Sequence, residues 1–204
     1  MADRVPLDFD PPVRRLRALL LGITDDDLAS PTPCNDWTVA DLLDHIMDVT
    51  RAFTQAAQKL TDAPGTSTPA PRPSGGDLPL HWRSRLPVML EELATAWKNP
   101  AAWTGSAQVG GAVMPAVAAG TAAVNELTMH GWDVARATDQ DFAADPRILE
   151  TLIEFHSRGQ DGHRPDPARD EQSLLDQVLV LSGRDPDWGR HPRWFSGRSR
   201  TAAE

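Results

Sequence analysis

The 204-residue sequence predicts an all-α fold, a bundle of four long helices with one long crossover loop and extra short helices near the C-terminus. Three observations predict it. Apolar residues recur at helical spacing in four long segments. A loop rich in Pro, Gly, Ser and Thr separates the second of these segments from the third. We find no well-formed run of alternating apolar and polar residues of the kind that strands require.

The first two helices are indicated by their start signals as well as by their spacing. The first is predicted over residues 12–21, where Pro11 and Pro12 suit a helix start. The second is predicted to begin at Thr38, because Thr38 and Asp41 resemble a capping box with Asp in place of the usual Glu. The apolar stripe of the second helix consists of Val39, Leu42, Leu43, Ile46, Val49 and Phe53.

The crossover is predicted over residues 61–77, where turn-forming residues dominate. A loop of this length is uncommon inside a compact domain and often borders a functional site, so we expect it to be mobile and close to one. A third helix is predicted over residues 80–98, and Pro87 is expected to lie in its first half or to kink it.

After a Gly-rich joint, the fourth helix is predicted over residues 115–138, and shorter helices over 146–157 and 171–181. Residues 189–204 are basic and lack periodicity, so they are predicted to form a disordered tail. The bundle domain is therefore predicted over residues 1–188.

Composition and charge exclude several classes of function. The net charge of -9 argues against a general nucleic-acid binder and against binding to an anionic membrane surface. Cys34 is the single cysteine, so no internal disulfide can form, which fits a reducing cytoplasm. The sequence shows neither a signal-peptide pattern nor an apolar run long enough to span a membrane, so a cytoplasmic location is predicted.

Two residues interrupt the apolar stripe of the fourth helix. Glu126 and His130 are four residues apart, so their side chains lie side by side. A buried carboxylate is costly unless something pairs with it, and a metal ion would satisfy both groups. His45, on or beside the inner stripe of the second helix, is the expected third ligand. The same spacing also occurs in surface pairs, and a lone histidine on an apolar face more often has a hydrogen-bonded core role.

Two histidines and one glutamate suit Zn2+ or a similar divalent ion, at about 2.0–2.2 Å per ligand. Ni2+ is the alternative, because imidazole and carboxylate bind either metal. Three protein ligands would leave one coordination position open, which is typical of a catalytic zinc site.

Three strings resemble a known family: TPCNDWTVADLLDHI over residues 32–46, NELTMHGWDVARATDQ over 125–140 and LSGRDPDW over 181–188. The first two resemble the signature stretches of the mycothiol-dependent maleylpyruvate isomerase N-terminal domain family, within the DinB-like bundle superfamily. The third resembles a C-terminal signature of actinobacterial members. The resemblance implies a DinB-like four-helix bundle whose metal ligands are His45, Glu126 and His130.

The resemblance also implies a function. The metal is expected to bind the sulfur of a low-molecular-weight thiol such as mycothiol and to favour the nucleophilic thiolate. The thiolate could then serve isomerisation, conjugation or S-transfer. The isomerase is expected to carry a further C-terminal domain that this chain lacks, so its substrate is not carried over. The alternative is a non-enzymatic metal-binding bundle, a binding or stress-response protein with a vestigial site. Bundles of this group often pair, so a homodimer is expected.

Two aspartates are candidates for orienting the ligand histidines. Asp41 stands four residues before His45, and Asp133 three residues after His130. The alternative for Asp41 is helix capping, and the alternative for Asp133 is a solvent or Arg136 partner.

Five further residues have competing interpretations. Trp37 is expected to pack the bundle, whereas Trp132 either packs it or walls the pocket. Arg136 either binds an anionic substrate or thiol carboxylate or forms a surface salt bridge. Cys34 is predicted to be a small packed residue rather than a nucleophile, and His156 is predicted to have a structural role.

Overall fold

The computed structural model describes residues 6–34, 36–68, 72–158 and 173–189. These residues form seven α-helices and one two-stranded hairpin, which confirms the predicted all-α class. The helices are α1 (Asp10–Gly22), α2 (Val39–Ala57), α3 (Pro64–Ser67), α4 (Trp82–Trp97), α5 (Ala116–Ala137), α6 (Pro146–Arg158) and α7 (Leu174–Leu181).

Four of these helices, α1, α2, α4 and α5, enclose the core. Both α2 and α1 pack against α5 and against α4. Leu16 of α1, Leu42 of α2, Leu90 of α4 and Val124 of α5 are each fully buried between them. Burial of each such side chain contributes about 1.5–3 kcal/mol, so this shared core fixes how the helices face one another.

The start of α2 is set by the predicted capping box. Asp41 N–H donates to Thr38 Oγ1 at 3.2 Å, and Thr38 N–H donates to Asp41 Oδ2 at 2.7 Å. These bonds satisfy backbone donors that a helix start leaves free. They also fix the register of α2, and with it the inward direction of His45 two turns further on.

The joint before α5 is a β-hairpin, where the sequence predicted only a Gly-rich connection. Strand β1 (Ser106–Val109) pairs antiparallel with β2 (Ala112–Pro115). Gly110 and Gly111 form the turn, with φ of 57° and 84°, a conformation that favours glycine. The strands are four residues each and rich in small side chains, so they leave no alternating pattern in the sequence.

The sequence predicted that the crossover between α2 and α4 is a loop throughout. In the structure it also contains the single turn of α3. Thr66 is fully buried, and its carbonyl accepts a 2.7 Å hydrogen bond from Gly111 N–H of the hairpin turn. Further along, Ser74 N–H donates to Asp44 Oδ2 and Gly75 N–H to Asp41 Oδ1. These bonds attach the crossover to the hairpin and to α2. Its mobility stays a prediction.

The C-terminal helices α6 and α7 pack against each other, and α6 also packs against α5. Ser173 caps α7 by accepting a 3.1 Å hydrogen bond from Asp176 N–H. The predicted disordered tail falls almost entirely outside the described residues, as do residues 171–172 of the last predicted helix. Among the helices described, none is both long and apolar enough to cross a membrane.

Candidate metal centre

Side chains from α2 and α5 converge on one point between these helices. Glu126 Oε2 lies 3.0 Å from His130 Nε2 and 3.4 Å from His45 Nε2. The three donor atoms all lie within 4.8 Å of one another. The structure therefore brings together the three residues that the sequence singled out as metal ligands.

The spacing of these atoms fits a single divalent ion. Donors about 2.1 Å from one ion and separated by the tetrahedral angle lie about 3.4 Å apart. The two distances from Glu126 Oε2, 3.0 and 3.4 Å, are close to that value. The Glu126 side chain is 28% exposed and that of His45 18%, so the cluster has a side open to solvent. Two imidazoles and one carboxylate with an open side are a donor set that can hold a divalent metal ion.

The other nitrogen of His130 faces a second carboxylate. His130 Nδ1 lies 2.9 Å from Asp133 Oδ2, and Asp133 is completely buried. Arg184, just after α7, donates to this carboxylate from Nε at 2.8 Å and from Nη2 at 2.7 Å. Cys34 Sγ–H also donates to Asp133 Oδ2, at 3.1 Å. A hydrogen bond from Nδ1–H to Asp133 fixes the ring so that Nε2 of His130 points towards Glu126.

The charges of the cluster shift its protonation equilibria. Burial alone would raise the pKa of Glu126, but hydrogen bonds from His130 and His45 hold it well below its usual range. Burial would likewise lower the pKa of His130, but contacts with Asp133, Cys34 and Glu126 raise it well above its usual range. Both shifts favour a protonated His130 ring between two carboxylates when no metal is bound.

A family model described as the mycothiol maleylpyruvate isomerase N-terminal domain matches residues 9–135. The matched stretch covers more than half of the chain and contains His45, Glu126 and His130. This chain belongs to that family. The resemblance found in the sequence motifs is thereby confirmed, although the segment with α6, α7 and Arg184 lies beyond the matched residues.

Two curated proteins and one solved structure are also similar to this chain. Two proteins of Mycobacterium tuberculosis, the uncharacterized proteins Rv0738 and MT0763, are each 28% identical to it over 177 residues, which cover 82% of this chain and 90% of theirs. The fold is similar to the crystal structure of the mycothiol-dependent maleylpyruvate isomerase, with a TM-score of 0.65 and 16% identity. That match covers 88% of this chain and 88% of the solved chain.

Of the two aspartates that the sequence proposed as partners of the ligand histidines, the structure brings only Asp133 to its histidine. Asp41 instead accepts from Thr38 N–H through Oδ2 and from Gly75 N–H through Oδ1. These bonds turn the carboxylate towards the helix start and the crossover. The capping interpretation of Asp41 therefore agrees with the structure.

The two other candidates for the pocket, Trp132 and Arg136, contact each other. Trp132 is 3% exposed and belongs to the core. Two residues turn a helix by about 200°, so Trp132 points away from His130. Arg136 lies with its Cζ 5.9 Å from the centroid of the Trp132 ring, as in a cation–π contact. This arrangement favours packing for Trp132.

Sequence reasoning did not predict the contacts of two residues that belong to the cluster. Cys34 was predicted only to pack, yet it contacts Asp133, and its Sγ lies 3.8 Å from His130 Nδ1. Burial raises the pKa of this thiol above its ordinary value, more than its contact with His130 lowers it. For Arg184 the sequence offered one signal of importance, its place in the string LSGRDPDW. That string does not indicate that Arg184 contacts Asp133.

The Trp37 ring lies close to two of the candidate ligands, and the His156 ring contacts the sequence neighbour of the third. The Trp37 ring centroid lies 4.9 Å from that of His45 and 6.2 Å from that of His130, so Trp37 covers one side of the centre. His156 of α6, predicted to be structural, lies with Nε2 2.8 Å from Asn125 Oδ1, next to Glu126 in sequence. Burial lowers the pKa of His156, and the charge of Arg184 lowers it further.

Proposed function

We propose that this chain is a metal-dependent thiol S-transferase or isomerase in which His45, Glu126 and His130 hold a divalent metal. Zn2+ is the first choice and Ni2+ the alternative. The thiol is a low-molecular-weight one such as mycothiol. The convergence of three metal-binding donor atoms within 4.8 Å, with one side open, carries the proposal.

Membership of the family supports the choice of thiol. The family's description names mycothiol and maleylpyruvate isomerase, and the solved structure of similar fold is titled a mycothiol-dependent isomerase. A divalent cation between the three ligands would supply positive charge that stabilises a thiolate, the nucleophilic form of a thiol. The electrophile of this chain is not carried over from the isomerase.

The chain's own side chains have separable tasks in this proposal. Glu126 and the two histidines form the binding site for the cation. Asp133 accepts Nδ1–H of His130 and so fixes the ring that presents Nε2. Trp37 covers the His45 side and limits access of water to it. The exposed edge of Glu126 marks where a thiol would approach.

The experiment is a coupling assay with zinc-loaded protein, mycothiol and a panel of electrophiles: an α,β-unsaturated carbonyl, an epoxide and an alkyl halide. We expect acceleration of at least one reaction by the wild-type chain and its loss in His45→Ala. His81→Ala is the matched control, because His81 is exposed and should leave the rate unchanged. Stoichiometric metal without acceleration of any thiol reaction would favour the alternative, a non-enzymatic metal-binding bundle.

A cytoplasmic location and a homodimer are part of this proposal and stay predictions. Light scattering at micromolar concentrations is expected to give twice the mass of the chain. A monomer mass across the whole range would contradict the dimer but would leave the metal chemistry unaffected.

A further inference from the structure

One face of α5 joins the C-terminal helices to the metal centre. Asn125, Met129 and Asp133 are spaced four residues apart, so they form a row along α5 beside Glu126 and His130. Each member of the row contacts the C-terminal segment. The partners are His156 for Asn125 at 2.8 Å, Ser182 for Met129 at 3.5 Å and Arg184 for Asp133 at 2.7 and 2.8 Å.

From this arrangement we infer that Arg184 is a positioning residue of the metal centre, which acts on His130 through Asp133. The inference rests on the proposed function in one respect, that His130 is a metal ligand. It adds a residue that lies beyond the stretch matched by the family model. It also makes the C-terminal segment part of the site rather than an appendage to the bundle.

Burial of the Asp133 carboxylate costs free energy unless other groups compensate for its charge. The Asp133 side chain is fully buried, and a buried carboxylate needs both charge compensation and hydrogen bonds. The guanidinium of Arg184 supplies both, because Nε and Nη2 each donate to a different oxygen of the carboxylate. This two-point contact fixes the plane of the carboxylate as well as its position.

Arg184 affects His130 through the carboxylate that both side chains contact. Asp133 Oδ2 accepts from Arg184 Nη2 and faces His130 Nδ1 at 2.9 Å, so the same oxygen joins the arginine to the ligand ring. A fixed acceptor at Nδ1 holds the tautomer and the rotation of the ring, and so the direction of Nε2. If Arg184 is removed, the donors that remain to Asp133 among the described residues are the imidazole of His130 and the weak thiol donor of Cys34. The carboxylate is then free to rotate or to take up a proton.

The test is a double-mutant cycle read by metal affinity and by the visible spectrum of the cobalt-loaded full-length chain. Arg184→Met should weaken Co2+ binding by about tenfold to a hundredfold, as is typical when a partner of a ligand histidine is lost. The same change in the Asp133→Asn background should weaken it by no more than about twofold, because Arg184 then has no carboxylate to hold. Arg184→Lys should recover part of the affinity, since it keeps the charge but not the fork.

Arg158→Met is the matched control, because Arg158 lies on α6 of the same segment and is exposed. It should leave the affinity and the cobalt spectrum unchanged. Equal losses from Arg184→Met in both backgrounds would show a general structural effect and overturn the inference. Wild-type affinity and spectrum in Arg184→Met would overturn it as well. A wild-type chain that binds no Co2+ would instead refute the proposed metal centre, and this inference with it. The single variant Arg184→Met leaves the Asp133 charge buried without its partner and could misfold for that reason. The double variant with Asp133→Asn removes both buried charges, so it controls for this effect.

Discussion

Metal binding should release one proton from this protein at neutral pH, and the structure identifies which one. In the metal-free chain the His130 ring lies between Glu126 Oε2 at 3.0 Å and Asp133 Oδ2 at 2.9 Å. These contacts raise its pKa well above the ordinary value of about 6.5, so we expect both ring nitrogens to carry protons at pH 7. A metal ion at Nε2 must displace the proton there, because only the lone pair can bind.

The magnitude follows from this single displaced proton. Below the pKa of His130, each unit of falling pH should weaken the apparent metal affinity about tenfold, or by about 1.4 kcal/mol. The Nδ1 proton should remain, since Asp133 still accepts it. Glu126 adds nothing near neutral pH, because its pKa is lowered and it is already ionised.

The assay is isothermal titration calorimetry of Zn2+ binding at pH 7 in buffers with different ionisation enthalpies. The slope of the observed enthalpy against the buffer enthalpy counts the protons, and we expect about one. His81→Ala, which alters an exposed histidine outside the centre, should give the same number. A count near zero, or an affinity that does not change between pH 6 and pH 7, would refute the reasoning that His130 is protonated in the metal-free chain and loses one proton to bind the metal.

Two further predictions concern stability. Gly120→Ala should destabilise the chain by about 1–3 kcal/mol in urea denaturation, because the added Cβ would lie 2.5 Å from Trp103 Cζ3. Gly22→Ala, which meets only a flexible glutamine side chain, should cost less, and an equal cost would contradict the packing. The metal-free chain should be most stable between about pH 4.5 and 6.5. The raised pKa of His130 gives stability that is lost as pH rises through that pKa, and the lowered pKa of Glu126 gives stability that is lost as pH falls through it. Thermal melts that are flat from pH 4 to 9 would contradict this.

The parts of the fold that the sequence predicted are those with local causes. The capping box of Thr38 and Asp41 and the long apolar stripe located α2, and a similar stripe located α5. With both helices placed, helical spacing put His45 on or beside the inner stripe of α2 and made it the expected partner of Glu126 and His130. The hairpin was missed because its strands are too short for a period to show, and its position depends on contacts with the crossover.

The rest of the candidate site could not be predicted because its partners are far apart in the chain. Asp133 meets Cys34 from 99 residues away and Arg184 from 51 residues away. No local period or spacing encodes such contacts, which depend on how the C-terminal segment packs on α5. A signature string can mark Arg184 as notable, but only the packed structure shows which group it holds.

The most direct test of the central claim is the absorption spectrum of the cobalt-substituted protein before and after addition of mycothiol. We expect one Co2+ per chain and a new sulfur-to-cobalt charge-transfer band when the thiol is added. His45→Ala should lose both the bound ion and the band, whereas His81→Ala should keep them. A wild-type spectrum that does not change with thiol, or a His45→Ala protein that retains stoichiometric cobalt and the band, would contradict a thiol-activating metal held by His45, Glu126 and His130.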